Sequence, residues 1–160
     1  MLFDGFLKYL PSVLVVLGWA IAYKLQALQA RRKLLREEVE KTRQAVEKLR
    51  EIALQFHVNV YDPEKRGAIV IALTDIERRY GMFPEIARAR SECSFNAVDI
   101  SKTRVDAKYL TELRQAITLE HFEDPESAPL QHGHEQLERI TVAASALIGE
   151  LDKVLVAALD

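Results

Sequence analysis

At 160 residues, the chain is long enough for one modest domain and an appendage. An apolar content of 49% with 29% charged residues excludes disorder over most of the length, and six Gly with five Pro are too few for an all-β fold built on tight turns. The single Cys excludes an intrachain disulfide, and the net charge of −2 conceals a strong polarity: Lys24 to Arg36 is basic without one acid, whereas Thr118 to Asp160 is predominantly acidic.

The first element is apolar. Leu10 to Tyr23, "LPSVLVVLGWAIAY", carries no charge and is flanked by Lys8 and Lys24, whose long stems can snorkel. A bilayer span takes about 20 residues. Helix continuing to Leu28, with Lys24 reaching outward, supplies that length, and Tyr9, Trp19 and Tyr23 suit the interfaces. Pro11 fits a helix start, or kinks a helix begun near Phe3.

Two other readings compete. Ala20-Ile21-Ala22 has the form of a signal-peptidase site, but Asp4 and one Lys make a poor positive leader, and the basic residues downstream oppose export. A buried core helix of this length is the plainer alternative. Residues 1–24 are read as a single-pass anchor in the inner (cell) membrane, of bacterial or phage type. The lysine and arginine bias puts the N-terminus outside and the C-terminal domain in the cytoplasm. Lys24, Arg31, Arg32, Lys33 and Arg36 then lie at the lipid surface, and Gly18 with Ala22 has the small-xxx-small spacing that lets two anchors pack.

No helix breaker follows Gly18 until after Phe56. Leu25, Arg32, Val39, Val46 and Ala53 fall at heptad position a, with Leu28, Leu35, Thr42, Leu49 and Phe56 at d. Eight of these ten are apolar. The seam of Leu25, Leu28, Leu35, Val39, Val46 and Leu49 predicts a coiled-coil-like stalk over residues 25–44 and a parallel homodimer. Ala45 and Ile52 widen the stripe further on, which marks the first helix of a bundle over residues 45–160.

In that bundle Asp62, Pro63 and Glu64 predict a capped helix start, with Ile69, Leu73, Ile76 and Tyr80 facing inward. Gly81 predicts its C′ cap, and Pro84 the start of another helix facing in through Ile86, Ala89, Cys93 and Ala97. Asp106 caps a helix bearing Leu110, Leu113 and Ile117. Glu123 to Gly133 is a loop holding Pro125 and Pro129, and His134 to Leu159 is a helix with Leu137, Ile140, Ala144, Leu147, Leu151, Val154 and Ala158 on one stripe. The fold class is all-α: an N-terminal transmembrane helix, a stalk and a small helical bundle.

Chemistry is sparse. No phosphate loop, no H-E-x-x-H and no G-x-S-x-G occurs, so no cofactor and no enzymatic activity are expected. His121, His132 and His134, near Glu120, Glu123, Asp124 and Glu135, form a weak metal candidate. Arg78, Arg79, Arg88 and Arg90 flank the expected turn and form a weak anion candidate. Cys93 sits on an apolar stripe, which favours burial over reactivity. The lack of a net basic head and of interleaved aromatics disfavours nucleic acid, and none is expected as a partner.

These features predict a membrane-anchored interaction or scaffold module. Its partners are the lipid bilayer, a second copy, and an unidentified protein at the acidic C-terminal region. A small membrane-acting toxin or phage-defence effector is the alternative. In outline, one anchor followed by a long helix is similar to the inner-membrane member of phage spanin pairs. That resemblance, over roughly the first third of the chain, implies a helical part outside the cytoplasm, which Arg31-Arg32-Lys33 opposes.

Overall fold

One helix, α1, runs without interruption from Leu2 to Val58, about 85 Å, so Pro11 lies inside it and the three segments expected from the sequence share one helix. The computed structural model describes residues 2–91, 106–119 and 122–159. Its other helices are α2 (Pro63–Ser91), α3 (Ala107–Thr118) and α4 (Glu135–Leu159), and no strand occurs among the described residues. Expectations resting on Cys93, Ala97, Glu120 and His121 lie outside them.

The helices alternate in direction. Phe56 at the end of α1 meets Tyr61 just before α2, and Leu35 and Val39 meet Phe83 near the end of α2. The Tyr80 hydroxyl donates to the Asp106 carbonyl at 2.9 Å, which places the start of α3 beside the second half of α2. Leu151 and Val154, late in α4, return to Leu35 and Val39. The result is an up-down-up-down bundle in which α1 lies between α2 and α4, and α3 packs on α4.

Two buried layers fill it. The larger holds Val46, Leu49, Ile69, Leu73, Ile76, Leu113, Ile117, Ile140 and Leu147; the smaller, nearer the apolar segment, holds Leu35, Val39, Phe83, Leu151 and Val154. Each side chain of this size contributes about 1.5–3 kcal/mol when fully buried. Thr42 is fully buried too, and its hydroxyl donates to the Glu38 carbonyl at 2.7 Å, so its polarity is answered within its own helix.

Two boundaries differ from the sequence expectation. The stalk predicted to reach residue 44 is taken into the bundle from Leu35 onward: Leu35 and Val39 are 4% and 2% exposed, covered by this chain's own α2 and α4. The second concerns Gly81 and Pro84. No turn forms there; α2 continues through both to Ser91. A helix-internal proline costs about 3 kcal/mol. Phe83 offsets much of that, because only a continuous helix carries it onto the stripe of Ile76 and Tyr80, where it is 1% exposed.

The local signals elsewhere hold. Asp62 Oδ1 accepts from the Glu64 N–H at 2.9 Å, and Asp106 accepts from the Lys108 N–H at 2.9 Å. Gly133 has φ of 88°, a left-handed conformation that suits glycine just ahead of α4.

The end of α3 is closed by neighbouring helices. Its last carbonyls have no partner within the helix. The Gln115 carbonyl accepts from the Leu119 N–H at 3.1 Å, the Ala116 carbonyl from the buried Gln136 side-chain amide, and the Ile117 carbonyl from His57 Nε2 at 3.0 Å. Since a carbonyl only accepts, Nε2 of His57 carries the proton. The His57 carbonyl accepts in turn from the Leu130 N–H at 2.8 Å, which ties the 123–133 loop to α1. Gln136→Leu keeps the volume but leaves a buried carbonyl unanswered. It is expected to lower stability by about 1–3 kcal/mol, read from thermal unfolding of the detergent-solubilised chain.

Candidate functional site

The molecule has two distinct ends, and the predicted site residues divide between them. At the proximal end, α1 projects beyond the bundle. An 18-residue window here has a mean hydropathy of 1.4, and none of it is buried by the rest of the chain. Val16 and Trp19 are 68% and 78% exposed. One helix is thus long and apolar enough to cross a membrane, and its apolar window takes no part in the core that the later turns of the same helix help to form.

The basic residues follow directly. Lys24, Arg32, Lys33 and Arg36 are exposed, and the helix backbone places Arg31 among them. Lys33 lies 3.9 Å from Glu37, a pair open to solvent on both sides and worth little. Gly18 faces open space and Ala22 is exposed, so the anchor-packing pair is uncovered by this chain.

The seam residues part company. Leu25 is 55% exposed, and Leu28 is placed beside it by the backbone, whereas Leu35, Val39, Val46 and Leu49 are all buried inside one chain. A parallel pair of chains running the whole seam would have to strip those four from their own core. Only the part of the seam before Leu34 remains open to a second copy.

Of the arginine candidate, the side chains of Arg88 and Arg90 lie outside what is described, and the other two are engaged within the chain. Arg78 and Arg79 lie in the middle of α2, not at a turn, and both bind Asp75, at 2.8 and 2.7 Å. Arg79 also reaches Glu38 of α1 at 3.4 Å. The hydrogen bond from Arg78, then that from Arg79, hold the Asp75 carboxyl below its ordinary range. Arg79 thereby braces α2 against α1, while Arg78 stays within its own helix. Burial pushes the Tyr80 hydroxyl well above its ordinary value, with Glu150 adding to the effect, so it stays a neutral donor.

Of the histidine candidate, Glu120 and His121 lie outside the described residues. No group of three or more His, Cys, Asp or Glu fit to hold a metal occurs among the described residues. His134 is the N-cap of α4, and its Nδ1 accepts the Gln136 N–H at 3.2 Å, which commits that lone pair to the helix. His132 is exposed in the loop.

The distal end carries what sequence reading missed. A groove of about 630 Å³ opens between the last turns of α1 and the first turns of α4, walled by Leu54, Val58, Leu137 and Val142. A second, of about 380 Å³, lies between α3 and α4 and is edged by Glu112, Glu135 and Arg139. The two share Glu138 and Val142, and Val142 is 67% exposed. Walls so apolar with acids at the rim suit a binding surface better than a reaction centre. Comparison of the chain with protein-family models, with curated proteins and with solved structures finds no match.

Proposed function

We propose that the protein is a membrane-anchored helical interaction module. Residues from Leu10 to about Leu28 span the inner membrane with the N-terminus outside, and the bundle lies in the cytoplasm. The observation that carries this reading is the pairing of an apolar, wholly uncovered helical segment with a packed bundle on one unbroken helix. Water-exposed apolar surface on this scale is costly, at about 25 cal/mol per Å². A bilayer removes that cost, and the run of basic residues just after it sets the orientation.

In this reading the distal end faces partners. It bears the acidic 123–133 loop and the two grooves, and it is the surface farthest from the lipid. Two copies have a contact available in Gly18, Ala22, Leu25 and Leu28, on the part of α1 outside the bundle.

Fusion of a cytoplasm-active fluorescent reporter, or of a periplasm-active phosphatase, after Asp160 tests the arrangement. Fluorescence with a silent phosphatase is the expected result. An active phosphatase with a dark fluorescent reporter would overturn the orientation.

A further inference from the structure

We propose that the proximal end of the bundle is itself a lipid-binding surface, seated on the headgroups of acidic phospholipids instead of being held away from the bilayer. The proposal rests on the reading of α1 as a span ending near Leu28. Its first support is distance. Leu35, in the first buried layer, follows Leu28 by about seven residues, or about 10 Å at 1.5 Å per residue. Headgroups occupy about 5–7 Å of that on each side of a bilayer. Both antiparallel neighbours go further toward the span. α4 runs about five residues beyond Val154 to Leu159, and α2 runs two turns beyond Phe83 to Ser91.

The second support is what faces outward at this level. Leu34 of α1, Met82 of α2 and Val156 of α4 are 47%, 43% and 60% exposed, each within two residues of a buried member of the proximal layer. Three helices therefore present apolar side chains at one height around the root of the span. The exposed charge of α1 leading up to this level is basic, with Arg32, Lys33 and Arg36 nearest to it and no acid between Lys24 and Arg36. Beside the buried layer itself Glu37, Glu85, Glu150 and Asp152 are acidic and Lys153 is basic, so the basic surface is the one that α1 presents between the layer and the span. Apolar groups mixed with long-stemmed cations suit the headgroup layer, where stems embed and charges meet phosphate. The bundle is thereby held at a fixed attitude to the membrane with its acidic end pointing away.

The full chain in vesicles tests this through tryptophan quenching by phospholipids brominated either near the glycerol end or near the methyl end of their acyl chains. Trp19, the sole native tryptophan, reports the span and is expected to be quenched. Val156→Trp and Met82→Trp, each in a Trp19→Phe background, report the bundle's proximal end. Both are expected to be quenched by the shallow bromines and not the deep ones. That quenching is expected to be roughly twofold stronger in phosphatidylcholine–phosphatidylglycerol vesicles than in phosphatidylcholine alone. Arg32→Gln, Lys33→Gln and Arg36→Gln together are expected to abolish the difference between the two lipids. Water-like emission from both new tryptophans, with native Trp19 still quenched, would overturn the seated bundle and leave the anchor standing. An unquenched native Trp19 would overturn the anchor itself. A lipid difference that survives the triple substitution would refute the basic contacts.

Discussion

Val15→Lys with Leu17→Lys is expected to release the chain from the membrane fraction while leaving its bundle folded. Both positions are more than half exposed and lie on the part of α1 that no other described helix covers. Lysine near the middle of a span costs about 2.5–3.5 kcal/mol, so the pair costs about 5–7 kcal/mol of insertion free energy. The bundle loses no contact, and its unfolding free energy is expected to stay within about 0.5 kcal/mol of wild type. Carbonate-washed membranes and a thermal melt of the released protein measure the two halves of this prediction. Were the segment a core helix, the same lysines would melt the bundle, because two unpaired charges would be buried in its centre. A chain that still pellets after the wash would contradict the anchor.

Helix starts were legible because their signals are local. Asp62 and Asp106 each reach N–H groups two residues on, and nothing distant alters that geometry. The stop expected at Gly81 failed where local signals met a tertiary one. Gly81 and Pro84 resemble a cap followed by a new start, yet Ile69, Leu73, Ile76, Tyr80 and Phe83 recur at four- and three-residue steps straight through them. Periodicity carried past Gly81 would have found Phe83. The seam posed a different problem. An apolar stripe states that it is covered and not by what, so Leu35 and Val39 read equally well as a dimer face or as an intramolecular one.

The polar core gave less warning still. His57 and Gln136 act on carbonyls 60 and 20 residues away, and neither position carries a local mark of burial. The three remaining histidines drew attention by clustering near acids, whereas the buried one stood alone beside Phe56. The distal grooves belong to no motif at all. They arise from where the first turns of α4 meet the end of α1 on one side and α3 on the other.

Leu35→Ala and Phe83→Ala are expected to destabilise the bundle sharply, and to do so at any protein concentration. Both side chains sit in the proximal layer at 4% and 1% exposure. Leucine-to-alanine changes in such sites cost about 2–5 kcal/mol and phenylalanine-to-alanine about 3–5 kcal/mol, part of it from the cavity left behind. The two share neighbours, so their combined cost is expected to fall short of the sum. Leu25→Ala serves as the control: at 55% exposure outside the bundle, it is expected to shift unfolding by no more than about 0.5 kcal/mol. A stand-off stalk held together only by a second chain makes the opposite forecast for Leu35. Its loss would then weaken pairing alone, and the melt would change with dilution. Thermal unfolding of detergent-solubilised wild type and variants over a range of concentrations separates the two. A Leu35→Ala melt that matches wild type would return residues 25–44 to the stalk, whereas a concentration-independent loss places the root of the bundle at Leu35, close to the point where α1 leaves its apolar segment.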